Sequence, residues 1–370
     1  MTNEKWYALE EVENVVSPSL LVYPDRIEKN IQLMISIAGG TKLLRPHIKT
    51  HKTAEIIKMQ LDHGINKFKC ATVAEAELLA QCGAKDILLA IQIVGANIER
   101  FVSLIKKYPR SEFSTLVDNL DTLSKIGISA HLEKISICLW MDVNVGMNRT
   151  GIEPTDEAVK LYKTITEYEF LEAKGLHVYD GHIRNTDIVE RKKHCDRAFD
   201  KVSKLKNSIE NNGIIVETII VGGSPSFPIH SNRGDVELSL GTTLLWDARY
   251  TELFPEMKFQ KAAVLFMRIV SKPAPNIICL DLGHKMIACE MEFPRLHIIG
   301  LEDSQQIGQS EEHLVVETMR ANEFEVGSVF YGVPMHICPT VAKYKNLLAV
   351  ENGKVSGEWK VAARNQKITI

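Results

Sequence analysis

The sequence predicts an α/β fold: a TIM-type (β/α)8 barrel followed by a C-terminal, mainly β domain. Three observations predict it. About eight strand-like runs, mostly separated by helix-like stretches, fill residues 40 to 250, the pattern of parallel βαβ units with right-handed crossovers. Beyond Phe254 the texture changes to short β-like runs divided by turns. The length of 370 residues suits a barrel of about 250 residues with a smaller partner. A doubly wound open sheet is the alternative.

Taken in order, Ser19 to Tyr23 is a short apolar run, and Lys42 to Lys49 is expected as the first barrel strand, with Pro46 near its exit. A helical pattern carrying Ile56, Ile57, Met59 and Leu61 follows and stops at Gly64. Phe68–Thr72, Asp86–Ile93, Phe113–Val117 and Ile135–Val143 read as strands two to five. Ala173–Tyr179, Ile214–Val221 and Val236–Leu240 complete the eight, with a long helical stretch from Asp187 to Asn211 between the sixth and seventh. Later runs at Ala262–Ser271, Asn276–Asp281, His313–Glu317, Ser328–Val333, Leu347–Val350 and Lys354–Lys360 make the β domain. The expected division is an N-terminal segment at 1–20 packed on the β domain, a barrel at 21–253 and the β domain at 254–370.

Composition narrows the classes. Forty-four Lys and Arg against 47 Asp and Glu leave a charge of −3, which argues against a nucleic-acid surface or a polybasic membrane anchor. No apolar run approaches the ~18 residues a membrane span needs. The start, Met1-Thr2-Asn3-Glu4-Lys5, lacks the layout of a signal peptide. Seven cysteines without CxxC spacing read as reduced thiols of a cytoplasmic protein.

In a parallel barrel the working residues sit at the C-terminal strand ends. Lys49, Thr72, Gln92, His177 and Tyr179 fall there, as do Arg149 in Gly146-Met147-Asn148-Arg149-Thr150-Gly151 and the Gly222-Gly223-Ser224 turn. Lys49 lies in Arg45-Pro46-His47-Ile48-Lys49-Thr50-His51-Lys52. Burial and positive neighbours lower a lysine pKa, which favours Schiff-base chemistry, whereas a solvated basic strand end is the plain alternative. Lys52 is the competing amine. Ile220 to Ser226 has the glycines and hydroxyls of a phosphate cradle, with Gly241 and Thr242 a second donor set, although an ordinary tight turn reads the same. His336 and Cys338 are two residues apart; an extended chain would aim both at one point, a pair suited to zinc.

In this order, Arg-Pro-His-x-Lys-Thr-His-Lys at 45–52, Gly146 to Gly151, Gly222-Gly223-Ser224-Pro225 and Pro334-x-His336-x-Cys338-Pro339-Thr340 resemble the D-threonine aldolase / D-serine dehydratase family. The closing Val361-Ala362-Ala363-Arg364 resembles it too. The resemblance covers nearly the whole chain, and its first and last motifs together are specific.

It implies the alanine racemase fold (PLP fold type III) and pyridoxal 5'-phosphate held by Lys49. It also implies a divalent metal, zinc or manganese, on His336 and Cys338; these two and Lys49 are then the catalytic residues. Arg149 matches the arginine beside the pyridoxal ring, Gln92 a polar residue at its face and Tyr179 the residue near its nitrogen. His47 and His177 join the cofactor site, and Gly222, Gly223, Ser224, Gly241 and Thr242 fall where the family holds the phosphate. The implied reaction is retro-aldol cleavage of a D-3-hydroxy amino acid to glycine and an aldehyde.

Dehydration of D-serine or D-3-hydroxyaspartate is the alternative, because Cys338 stands where aldolases of the resembled family can carry Asp. A racemase or a non-catalytic pyridoxal-phosphate protein is disfavoured by the His336/Cys338 pair. The family expectation for assembly is a homodimer, with a small-molecule D-amino acid as the only other partner.

Overall fold

The computed structural model describes residues 5–370; residues 1–4, and the start of the stretch read as lacking a signal peptide, lie outside them. These residues form two compact units. One, the barrel unit, is Met34–Lys49, Ile57–Gly241 and Asn365–Ile370; the other, the β unit, is the chain up to Leu33 with Thr50–Ile56 and Thr242–Arg364. Along the chain β1 (Ser19–Val22), α1 (Pro24–Ala38) and α2 (Ala54–Asp62) come first.

The barrel unit then alternates β2 (Lys67–Cys70), α3 (Val73–Gln81), β3 (Asp86–Gln92), α4 (Ala96–Lys107), β4 (Glu112–Val117), α5 (Leu120–Glu133), β5 (Ile137–Val143), α6 (Asp156–Thr166), β6 (Leu171–Val178), α7 (Ile188–Asn211), β7 (Thr218–Val221), α8 (Phe227–His230) and β8 (Val236–Leu238). Strands β2 to β8 pair in sequence order, each parallel to the next. The expected first strand, Lys42 to Lys49, is corrected. It is no strand but an irregular segment that bridges β8 through Leu44↔Leu238 and β2 through His47↔Lys69. Pro46 contributes no N–H to a ladder, and the backbone turns into a 3-10 helix at Ile48–Thr50. Seven strands and this segment therefore make up the ring.

Strand periodicity decides what faces inward. Leu88, Leu116, Trp140 and Ile220, from four strands, pack as one buried cluster. The fully buried Arg45 lies over the Trp140 ring at 5.6 Å, and its guanidinium pairs with both Asp86 oxygens at 2.6 Å and with Glu237 at 2.5 Å. Two residues beyond Trp140 on the same face of β5 comes Asp142, and the character of the layer switches from apolar to polar.

The β unit continues with α9 (Ala248–Leu253), β9 (Ala263–Ala274), β10 (Ile277–Leu280), β11 (Leu296–Ile298), β12 (Gln305–Gln309), β13 (Leu314–Glu317), β14 (Val329–Pro334), α10 (Ile337–Val341), β15 (Asn346–Glu351) and β16 (Lys354–Lys360). Its sheet runs β12-β13-β10-β9-β1-β15-β16, with β14 pairing β9 and β11. Strand β1 lies between β9, antiparallel, and β15, parallel. Leu9, Val15, Leu21, Tyr23, Val264, Phe266 and Val350 share one buried cluster there.

Candidate functional site

Within the barrel unit His47, Lys49, Gln92, Arg149, His177 and Tyr179 line one cavity of about 340 Å³. These residues are spread from position 47 to position 179, yet they gather in one cavity because parallel pairing sets successive strand ends side by side. The Lys49 Nζ lies 5.8 Å and the Arg149 guanidinium 4.9 Å from the centre of the Tyr179 ring. The loop that carries Arg149 is shaped by Asn144, whose Oδ1 accepts the N–H groups of Gly146 and Asn148 at 3.0 and 3.1 Å. Gly151 closes it at φ +96°, where an added Cβ would stand 2.7 Å from the Asn144 nitrogen. Thr72 instead caps α3, accepting from the Glu75 N–H.

Beneath these residues runs a buried polar chain. Gln92 donates to Asp142 at 2.8 Å and to Asp118 at 2.9 Å. Asp142 faces His177 Nδ1 at 2.7 Å, and His177 Nε2 faces the Lys69 amine at 3.1 Å. Burial alone would raise the Asp142 carboxyl, but the hydrogen bond and charge of His177 outweigh it and hold it below its ordinary range. Burial, then Lys69, lowers the His177 imidazole. Lys69 is brought down to about 7 by burial first and by Lys49 second. Lys69, Asp118 and Asp142 escaped the sequence reading; the signal for Lys69 was the single cation in the run Phe68–Thr72 expected as a strand.

The glycine turn abuts this cavity. A Cβ on Gly223 would come within 3.1 Å of the Tyr179 ring, and one on Gly222, at φ +84°, within 3.0 Å of both His230 and Ser226. Their N–H groups are engaged inside the protein: Gly222 donates to Val178 O at 3.0 Å, and Gly223 to Ser226 Oγ at 3.1 Å. Gly241 N–H donates to Ser224 Oγ at 3.2 Å. The glycines thus shape the turn. The Ser239 hydroxyl, two residues before Gly241, is buried with no hydrogen-bond partner. The two lysines, the arginine and the aromatic face that line the cavity fit an anionic aromatic aldehyde such as pyridoxal phosphate.

In the β unit the expected extended His336–Cys338 chain is corrected. His336 is extended, at φ −139° and ψ 100°, but it is the residue before α10, and Cys338 lies in the first turn of that helix. The two side chains are nevertheless close enough for each to shift the protonation of the other. Glu290 accepts from His336 Nδ1 at 2.5 Å, and Thr50 Oγ1 and Thr242 Oγ1 lie 3.2 and 3.7 Å from Cys338 Sγ. Burial would lower His336, but its bond to and the charge of Cys338 raise it to about 9. Burial would raise the Cys338 thiol, but His336 outweighs that and holds it below its ordinary value. Asp247, next to these groups, is raised to about 6 by burial and accepts the Ile337 N–H at 3.2 Å. A thiol inclined to ionise beside an imidazole whose other nitrogen is fixed by a carboxylate fits a divalent metal. Thr242, expected at the cofactor phosphate, falls in this unit beside Cys338.

A family model described as the alanine racemase N-terminal domain matches residues 22–244. The chain belongs to that family. A second model, described as a putative serine dehydratase domain, matches residues 262–350 of this family member. Relatives include the 3-hydroxy-D-aspartate aldolase of Paracoccus denitrificans (strain Pd 1222), 27% identical with 95% of this chain and 93% of the relative covered. The D-threonine aldolase of an Arthrobacter species is 28% identical over the same shares. The crystal structure of D-threonine aldolase from Filomicrobium marinum superposes with a TM-score of 0.88 at 26% identity, covering 95% of this chain and 96% of that one. The alanine racemase-like fold, barrel strands plus a mainly β domain, therefore stands as expected. So does the expectation of a pyridoxal-phosphate lyase.

Proposed function

We propose that this chain, with pyridoxal phosphate and a divalent metal, cleaves D-3-hydroxy amino acids by a D-threonine aldolase-type retro-aldol reaction to glycine and an aldehyde. The observation that carries this reading is the His336–Cys338 contact with Glu290 on His336 Nδ1. A racemase has no use for such a preset ligand pair, and the two relatives described above bear the names of aldolases, while others are named D-serine dehydratase.

Bound pyridoxal phosphate supplies an electron sink for negative charge at Cα, and a bound metal a Lewis acid for the β-hydroxyl. Lys49 would hold the cofactor through its amine, with Arg149 and Tyr179 shaping the cavity around it. His177, with Nδ1 turned to Asp142, keeps a buried proton-exchanging pair with Lys69 next to that cavity. Gln92 fixes Asp142 and Asp118 against movement. His336 and Cys338 would hold the metal, zinc by preference because a thiolate is soft, while Glu290 fixes the imidazole.

Cys338 is also the observation that favours a second reading, dehydration of D-serine or D-3-hydroxyaspartate on the same parts, since an oxygen ligand suits the aldolase better. A cytoplasmic location belongs to the proposal: all seven cysteines are free thiols, and no helix among the described residues is long and apolar enough to cross a membrane. The test is product analysis with D-threonine and D-serine, supplying pyridoxal phosphate and zinc or manganese. Glycine with acetaldehyde supports the aldolase; 2-oxobutanoate or pyruvate with ammonia supports the second reading. Turnover of neither, or turnover indifferent to a chelator, overturns the proposal.

A further inference from the structure

Behind the glycine turn lies a buried cluster that the reaction does not use: Asp180, Cys195 and His230, three groups of metal-ligating type with ligand atoms within 4.8 Å of one another. Hydrogen bonding argues against a metal there. Arg233 Nε, which can only donate, lies 2.9 Å from His230 Nδ1. Nδ1 therefore carries the lone pair, and Nε2 carries the hydrogen it directs at Asp180 Oδ2, 2.7 Å away. An imidazole bound to a metal through Nε2 would need a hydrogen on Nδ1, and Arg233 leaves it no acceptor. Cys195 is pushed up to about 12 by burial and then by Asp180, so it keeps its proton.

The same bonds give the cluster a direction. Arg233 donates to His230, and His230 donates to Asp180. From the other side the Gly223 N–H donates to Ser226 Oγ at 3.1 Å, and Ser226 Oγ donates to Asp180 Oδ1 at 2.7 Å. Both arms end on one carboxylate that is 2% exposed. Asp180 follows Tyr179 at the end of β6, whereas Gly222 and Gly223 leave β7, so the carboxylate ties two strand ends together. Arg233 is itself fixed by Asp196 at 2.7 Å and by the Phe199 ring at 4.0 Å. Gly222 fits only because its Cα faces His230 and Ser226 without a Cβ.

We propose that Asp180, Ser226 and His230 are positioning residues that hold the Gly222–Ser226 turn in the form that receives the phosphate of the cofactor. This rests on the reading of the barrel cavity as a pyridoxal-phosphate site. The resemblance sets this turn at the phosphate. Because the Gly222 and Gly223 N–H groups are engaged within the protein, the array acts through the shape of the turn. Its loss should fall on the phosphate more than on the ring.

The experiment compares equilibrium binding of pyridoxal 5'-phosphate and of pyridoxal, which lacks the phosphate, to the apo-protein by visible absorbance. His230→Leu should weaken pyridoxal phosphate by roughly tenfold or more, the factor for losing one hydrogen bond to a charged group. Pyridoxal should change by less than about half of that on a logarithmic scale. Ser226→Ala, a smaller change that keeps the core filled, should show the same selectivity. His230→Gln, whose amide can still donate to Asp180, should restore most of the loss. Equal weakening of both compounds, or no weakening of either, overturns the proposal. A wild-type protein that binds neither compound overturns the cofactor reading itself, and that result is read before any variant is made.

Discussion

The amine of Lys69 stands 3.1 Å from His177 Nε2, with His177 Nδ1 held by Asp142 on the far side. Asp142 can only accept, so His177 Nδ1 carries a hydrogen, and a single proton serves Lys69 and His177 Nε2 between them. The barrel thus buries a second amine in the cavity that holds Lys49, joined to an imidazole that can take its proton.

That arrangement carries a stability cost with a definite pH course. Lys69 is lowered to about 7 from an ordinary lysine value, first by burial and then by Lys49. Above pH 7 the unfolded chain binds the proton that the folded chain has released, so stability rises with pH until the unfolded lysine titrates as well. Lys69→Met removes this cost, at about 1.4 kcal/mol for each pH unit separating the two values, less about 1–3 kcal/mol for leaving His177 Nε2 unpaired. The variant should therefore gain most on the wild type near pH 7, and the gap should shrink toward pH 10. Urea midpoints of the two apo-proteins across that range measure it, and a gap independent of pH would contradict the assignment.

Lys49→Ala should lose the visible absorbance of lysine-bound pyridoxal phosphate together with all turnover. Borohydride reduction and peptide mapping then report whether any amine substitutes. The sequence names Lys52 as the rival, but Lys52 sits at φ +58° with its carbonyl accepting the Ala363 N–H, whereas Lys69 lines the cavity. A residual adduct is expected on Lys69. An adduct on Lys52 would show that the cavity is misassigned.

Cys338 should alkylate with a pH midpoint below that of an ordinary thiol, because His336 outweighs the effect of burial. In His336→Ala that midpoint should move up, since the main influence opposing burial is then gone. Added zinc should slow the wild-type reaction sharply and the His336→Ala reaction little. Mass spectrometry of the Cys338 peptide separates it from the exposed Cys289. Protection by zinc that ignores His336 would remove the metal pair.

Cys338→Ala should abolish turnover while keeping the cofactor absorbance and the unfolding midpoint within about 1 kcal/mol, since a chain of this size does not depend on a metal to fold. Cys338→Asp should shift the metal preference from zinc toward manganese. Metal content and activity titrations measure both. Full activity in Cys338→Ala would reduce the pair to packing.

A homodimer is expected in solution on the family resemblance, and light scattering coupled to gel filtration checks it at micromolar concentration. A fully active monomer would contradict it.

Much of this molecule is legible in the sequence because periodicity is local. The hydrophobic run Ile137–Val143 and the capped stretch beginning at Asp187 declare β5 and α7 without reference to any other segment, and Asp187 does accept from the Val189 and Glu190 N–H groups. The four motifs likewise lie in short continuous stretches, so Lys49, Arg149, His336 and Cys338 could be picked out singly. Helix α1 was equally open to view in the spacing of Ile27, Ile31 and Met34 before Gly39, all three buried, and was passed over.

Other features depend on partners that only folding supplies. The segment 42–49 has the composition of a strand, but Pro46 and the turn at Ile48 leave it only bridges to β2 and β8. Strand β1 reads as any apolar run until β9 and β15 enclose it. The spacing of His336 and Cys338 suggested convergence on an extended chain; the structure brings them together across a helix start, with Glu290, 46 residues away, fixing the imidazole. Lys69 is one more lysine in a strand-like run until burial and then Lys49 set its protonation. The sequence alone thus determined the elements and the residue types of the chemistry. Tertiary structure decided their protonation and orientation, because burial and long-range hydrogen bonds have no signature along the chain.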